Sequence, residues 1–366
     1  MSASAGLPTR RQLAPSPSFD HLARLTDDTG LFEHARLAIA RRGHGYCTDD
    51  VARGLVVTSR EHDPAPAVLR LAETYLAFLT HAQEKDGAFH NRLGFDRRWA
   101  DGGGLGDWWG RALWGLGTAV ARSPAGWIRE EALEAFTNGA KRRSPSPHAM
   151  AFAGLGAAEV LRADTGNEMA AALLADAASA VGWPDSDHRW PWPHQRLSYA
   201  SAALAEVVIA AGHHRGDAAL RAAGLRMLRW LRDIQVFDGR LSALPAAGWD
   251  RRDPRQRYDQ QPIEVAAFAD ACATAAEVTG DDTWCLGTSQ AVGWFLGDND
   301  GGVVMWDRAT GGGYDGLTPC GPNANQGAES TLAFISTLQH ARTGGAATAK
   351  VELPRRGFAP AGDGAP

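Results

Sequence analysis

Six alanine- and glycine-rich runs alternate along this chain with six runs of ordinary amphipathic pattern, and each small-residue run opens on a polar or aromatic cluster. The clusters are Tyr46-Cys47-Thr48-Asp49-Asp50, Gly106-Asp107-Trp108-Trp109, Ser146-Pro147-His148, Leu197-Ser198-Tyr199, Tyr258-Asp259-Gln260-Gln261-Pro262-Ile263-Glu264 and Asn325-Gln326-Gly327-Ala328-Glu329. Small residues on several faces suit a helix packed on more than one side, as an inner layer requires. Charged residues beside one apolar stripe suit a helix with a wet face. A chain that alternates the two kinds six times can close into a ring of helical hairpins, with all six decorated starts at one mouth.

The predicted inner helices are Val51 to Arg60, Gly110 to Ala121, Ala149 to Arg162, Ala200 to Ala211, Val265 to Thr279 and Ser330 to His340. The predicted outer helices are Phe19 to Thr26, Ala65 to Ala82, Trp127 to Ala140, Glu168 to Val181, Ala218 to Ile234 and Asp282 to Leu296. Inner-to-outer turns are short, whereas most outer-to-inner connections are long, such as Glu84 to Gly106 and Gly297 to Gln326. Long loops in compact domains are usually functional, and these all lead into the decorated starts. The expected organisation is a disordered N-terminus over 1–17, one all-α toroid over 18–342 and a disordered Gly/Ala/Pro-rich tail over 343–366.

Composition narrows the class. An apolar fraction of 44% supports a large core, and a net charge of −5 with no clustered basic face excludes a nucleic-acid footprint. No apolar stretch is long enough to cross a bilayer, and Met1 to Ser18 lacks the apolar segment of a signal peptide. Four cysteines without CxxC spacing argue against a zinc site or disulfide framework. The expectation is a cytoplasmic chain without metal or cofactor.

The mouth chemistry is that of carboxylates among ring-shaped side chains. Hydrolysis of a glycosidic bond needs one carboxylic acid for the leaving oxygen and one carboxylate for water or direct attack. Glu264, Asp107 and Asp50 are the catalytic candidates, with Glu264 as general acid. Each also has a plain helical reading: Asp107 as a cap, Asp50 in a first turn favoured by the dipole, Glu264 in a capping box with Gln261. Expected to bind sugar are Tyr46, Asp49, Arg53, Trp108, Trp109, Arg111, His148, Trp192, His194, Tyr199, Tyr258, Asp259, Gln261, Tyr314, Asp315, Asn325 and Glu329. Their hydroxyls, amides, charges and flat rings match sugar hydroxyls and pyranose faces. His148 and His194 are the candidates if the chemistry is instead proton transfer by paired histidines, as in a sugar epimerase or isomerase.

The six-hairpin plan, with Trp109-Gly-Arg-Ala-Leu-Trp114, resembles the (α/α)6 six-hairpin glycosidase superfamily. A narrower resemblance lies in Glu33-His34-Ala35, Gly45-Tyr46-Cys47-Thr48-Asp49-Asp50-Val51-Ala52-Arg53 and Tyr258 to Glu264. These are similar to bacterial proteins that accompany glycosyltransferases and mannoside-processing enzymes, although Val51 stands where that pattern has Asn. The resemblance implies carbohydrate chemistry on a short oligosaccharide, with inversion as the common outcome in ring-type glycosidases. The alternatives it leaves are an epimerase and a non-catalytic glycan-binding partner of a glycosyltransferase.

Overall fold

The computed structural model describes residues 14–343; the segments 1–13 and 344–366, most of the termini expected to be disordered, lie outside it. The described residues form an (α/α)6 toroid of twelve α-helices. The inner ring is α2 (Thr48–Ser59), α4 (Asp107–Arg122), α6 (Pro147–Ala163), α8 (Ser201–His214), α10 (Pro262–Thr279) and α12 (Ala328–Thr343). Around it lie α1 (Asp20–Arg24), α3 (Pro66–Ala82), α5 (Gly126–Gly139), α7 (Glu168–Val181), α9 (Ala218–Gln235) and α11 (Thr283–Leu296). Each inner helix packs on the next, and α12 returns to α2 to close the ring. Several inner helices begin about one turn before their predicted starts, because the decorated clusters are themselves first turns.

Local chemistry sets many of the helix ends. The side chains of Ser146, Asn167 and Asp217 accept backbone N–H groups at the starts of α6, α7 and α9. Gly280 and Gly297 end α10 and α11 in the left-handed conformation that glycine adopts without strain. The strands are ribbons of two or three residues in the rim loops. β1 (Ala35–Arg36) pairs with β2 (Ile39–Ala40), and β3 (Tyr46–Cys47) pairs with β4 (Arg92–Leu93), Tyr46 lying opposite Leu93.

The tightest contact in the ring joins α4 to α6. Gly110 faces the Ala149 carbonyl, Gly117 faces that of Gly156, and Gly156 faces that of Leu113. Backbones this close leave no room for a side chain between them. On the ring axis, Val56, Val57, Trp114, Phe152, Leu155 and Leu332 surround a chamber of only about 40 Å³. The middle of the toroid is therefore narrow, with Arg53, Arg111 and Glu329 at one end of the chamber wall and Glu206 and Asp270 also lining it. Among the described residues, no helix is long and apolar enough to cross a membrane.

A β-carbon at Gly156 would collide with the rigid Leu113 carbonyl rather than with a movable side chain. Gly156→Ala is expected to lower the unfolding free energy by about 1–3 kcal/mol, read as a reduced urea midpoint. An unchanged midpoint would show that α4 and α6 do not sit this close.

Candidate active site

The N-terminal ends of the inner helices meet in a cavity of about 450 Å³. Its wall takes Asp49, Asp50 and Arg53 from α2, Asp107 and Arg111 from α4, and Glu329 and Ser330 from α12. Tyr199, Gln261 and Ile263 come from the entries to α8 and α10, and the rim loops add Glu33, His34, Cys47, Arg92, Asp315 and Asn323. Helix N-termini carry partial positive charge and free N–H groups, so anionic side chains are favoured there.

Two arginines organise these acids. Arg53 forks between Asp50 (Nη2 to Oδ1, 3.1 Å) and Glu329 (Nη1 to Oε2, 2.8 Å), and its Nε–H reaches the Asp49 carbonyl at 3.3 Å. One guanidinium thus joins the first and last inner helices. Arg111, only 3% exposed, lies with its guanidinium carbon 4.6 Å from the Phe152 ring centre and its Nε 3.8 Å from Asp49 Oδ1.

Burial and the arginines pull three of these acids in opposite directions. Burial raises the Asp50 carboxyl to about 7 against the pull of Arg53, with Glu329, Glu33 and Asp49 pushing the same way as burial. Burial also raises Asp107, helped by Asp49 and opposed by Arg111 and by Ser146, whose hydroxyl donates to Asp107 Oδ1 at 3.4 Å. Burial alone would raise Glu329 too, but Arg53 and Arg111 outweigh it and hold this carboxylate below its ordinary value. Glu329 also keeps 40% of its side chain exposed, so water reaches it.

Of the residues expected at the site, Asp49, Asp50, Arg53, Asp107, Arg111, Tyr199, Gln261, Asp315 and Glu329 share this one cavity. His148 stacks on Tyr199 at 4.6 Å just outside it, and burial with nearby Arg111 lowers its imidazole to about 4. His194 is lowered by burial as well. Asn325 accepts the Leu37 N–H at the rim. Glu264 stands behind the wall, 5% exposed, its carboxyl accepting the N–H of Ala200, and burial raises it to about 8. Ala200 has φ 46°, a left-handed conformation that needs such support outside glycine, so Glu264 fixes the entry of α8 beside Tyr199.

Other expected residues serve packing. Trp109 and Trp192 are buried at 0% and 1% exposure. The Trp108 indole N–H donates to the Phe89 carbonyl and the Tyr46 hydroxyl to Asp27. Tyr258, Asp259 and Tyr314 lie outside the cavity wall. Arg92 and Asn323 join the wall with no local motif to announce them, because long loops carry them there.

Glu33, Cys47 and Asp50 bring three potential metal-ligand atoms within 4.8 Å of one another. Arg92 already pairs with Glu33 and Arg53 with Asp50, so a dication would have to displace two guanidinium groups. This donor set does not fit a resident metal.

No known family profile matches the chain, and no curated protein matches its sequence. Solved structures do match it. A sugar epimerase from a ruminal bacterium shares 15% identity with a TM-score of 0.67, over 88% of this chain and 95% of that one. The cellobiose 2-epimerase of Spirochaeta thermophila shares 13% with a TM-score of 0.63, over 88% and 93%. A cellulase of C. cellulolyticum shares 8% with a TM-score of 0.56, over 86% and 87%. This likeness shows the fold. It is (α/α)6.

Glu264 generates a prediction about stability. A carboxyl with an ordinary value of 4.5 raised to about 8 in the fold contributes stability that is present below 4.5 and lost as pH rises through about 8. Glu264→Gln keeps an acceptor for Ala200 and cannot ionise. It is expected to reduce the stability lost between pH 4.5 and 8 by at least about 1 kcal/mol, measured by urea unfolding across that range. Glu206, raised by burial to about 8, has the same sign and leaves a residual slope. An identical pH profile in wild type and variant would contradict the buried placement of Glu264.

Proposed function

We propose that this protein is a glycoside hydrolase acting on a short oligosaccharide, with Asp107 as proton donor and Glu329 as the ionised carboxylate. The observation that carries the reading is the opposed bias on two carboxyl groups in one cavity: burial favours the protonated form of Asp107, and two arginines favour the ionised form of Glu329. Pairs of carboxyls whose environments push their proton affinities apart are the signature of acid and base roles. Asp107 is on α4 and Glu329 on α12, with α2 between them in the ring. A separation of about 6.5–9.5 Å between the two carboxyl groups would leave space for a water and give inversion, and one of about 5–5.5 Å retention. In this reading Asp50 and Arg53 hold Glu329, and Glu264 positions Tyr199. The (α/α)6 fold and the motif of Gly45 to Arg53 support a carbohydrate substrate, and a glycosyltransferase partner is compatible with the same motif.

A second reading has one observation in its favour: solved structures of the same fold include sugar epimerases and a D-mannose isomerase. It would draw on His148 and His194, neither of which belongs to the cavity wall. A monosaccharide epimerised in deuterated water with deuterium incorporation, and no cleavage of any oligosaccharide, would favour it.

Incubation with manno-, gluco- and galacto-oligosaccharides, followed by chromatography, tests the leading reading. Asp107→Asn and Glu329→Gln are each expected to lower turnover by on the order of 100-fold or more while binding persists. The wild-type rate should fall as pH rises through the raised Asp107 value, since the donor must be protonated, and Asp107→Asn should lack that limb. Wild-type rates in both variants would end the assignment.

A further inference from the structure

The rim of the mouth carries a hairpin whose tip is aliphatic. β1 and β2 pair Arg36 with Ile39, which leaves Leu37 and Ala38 as the turn. Leu37 is 58% exposed and Ile39 is 73% exposed. Leu37 also has φ 52°, a left-handed conformation that favours glycine or asparagine over a branched aliphatic residue. Two bonds hold it there: its N–H donates to Asn325 Oδ1 and its carbonyl accepts the Gln326 N–H, each at 3.0 Å. A second exposed apolar side chain, Phe95, follows β4 and is 49% exposed. Its ring tilts on Phe32 at 6.0 Å, and the Arg42 guanidinium carbon lies 5.7 Å from its centre.

The same rim is basic, in a chain whose net charge is −5. Segments 33–44 and 92–98 hold six arginines against two carboxylates, Glu33 and Asp96. They are distant in sequence and are brought together by the pairing of β3 with β4, so no basic run announces them. Arg92 pairs with Glu33, and Arg97 with Asp28. Among the described residues, Arg36, Arg41, Arg42 and Arg98 are exposed and pair with no carboxylate.

Exposed aliphatic side chains beside unpaired guanidinium groups match the two layers of one surface, acyl chains and the phosphates above them. We propose that this rim docks the protein on an anionic phospholipid membrane. Leu37 and Ile39 enter the interfacial layer. Arg36, Arg41, Arg42 and Arg98 meet headgroup phosphates, which guanidinium groups bind in forks. Glu33, His34 and Arg92 belong to the cavity wall, so docking holds the mouth beside the membrane. A nucleic acid would call for free aromatic faces on which bases stack. Here the most exposed apolar residues are aliphatic, and Arg42 already lies over Phe95. The inference does not rest on hydrolysis.

The test sediments the full chain with vesicles of phosphatidylcholine alone and of phosphatidylcholine mixed with phosphatidylglycerol. The chain is expected to bind the mixed vesicles, less so as salt is raised, and not to bind phosphatidylcholine alone. Arg36→Gln with Arg41→Gln should weaken binding by about 10- to 30-fold. Leu37→Asn with Ile39→Thr should weaken it by about 10-fold or more. Asparagine suits the left-handed turn and threonine the strand, so this second variant should keep the wild-type urea midpoint. No sedimentation with mixed vesicles, or equal sedimentation with both kinds, overturns the proposal. Loss in the arginine variant with the apolar variant unchanged marks a site for a soluble polyanion and overturns it too. No variant alters a cavity acid, so none of these outcomes bears on the hydrolase reading.

Discussion

The toroid depends on the junction between its last inner helix and its first. Arg53 and Glu329 are separated by 276 positions in sequence and by 2.8 Å in space. Lower on the same seam, Gln339 donates to the Val57 carbonyl, and Arg60 bonds both Asp270 of α10 and Ser336 of α12. Without this seam the six hairpins would be an open arc, its end helices exposing faces built for burial. Because α12 is buried along almost its whole length, the apolar contact drives closure. The arginines then fix the register in which it closes.

That register determines the electrostatics of the mouth. The N-terminal ends of the inner helices converge on one cavity. Crowding Asp49, Asp50, Asp107 and Glu329 there would be unfavourable if all were ionised with nothing between them. The two arginines relieve this crowding unevenly. They reach Glu329 together, whereas Asp107 has Arg111 alone and Asp49 working against it. Burial dominates at Asp107 and the two guanidinium groups dominate at Glu329, so the two carboxyl groups are biased in opposite directions.

Much of this was legible in sequence because the toroid repeats. The alternation of small-residue and amphipathic runs located the twelve described helices, and the lopsided loop lengths pointed to the end where the carboxyl-lined cavity lies. The acids at the starts of α2, α4 and α12 were legible for the same reason. What sequence could not show is which way a first-turn side chain turns. Glu264 and Glu329 open their helices with the same Gln-x-x-Glu spacing, yet Glu329 faces the cavity and Glu264 faces the Ala200 amide. Aromatic residues were misleading in a related way. Trp109 and Trp192 sit in segments that lead to the mouth, but large flat side chains also fill a core best, and both are in it. Arg92 and Asn323 arrive on long loops whose course no local periodicity encodes.

The seam between α2 and α12 also bears on how the protein is made in a cell. The N-terminal hairpins leave the ribosome long before α12 exists, and each presents an inner helix shaped for contact on both flanks. Until the final segment emerges, those faces have no native partner. Incomplete chains of this kind expose the apolar surface that chaperones recognise and that drives aggregation. Since Glu329 belongs to the last of the described helices, the charge arrangement at the mouth cannot exist in a nascent product that ends before α12. A chain interrupted before α12 would thus lack the Arg53–Glu329 pair and leave the flank of α2 uncovered.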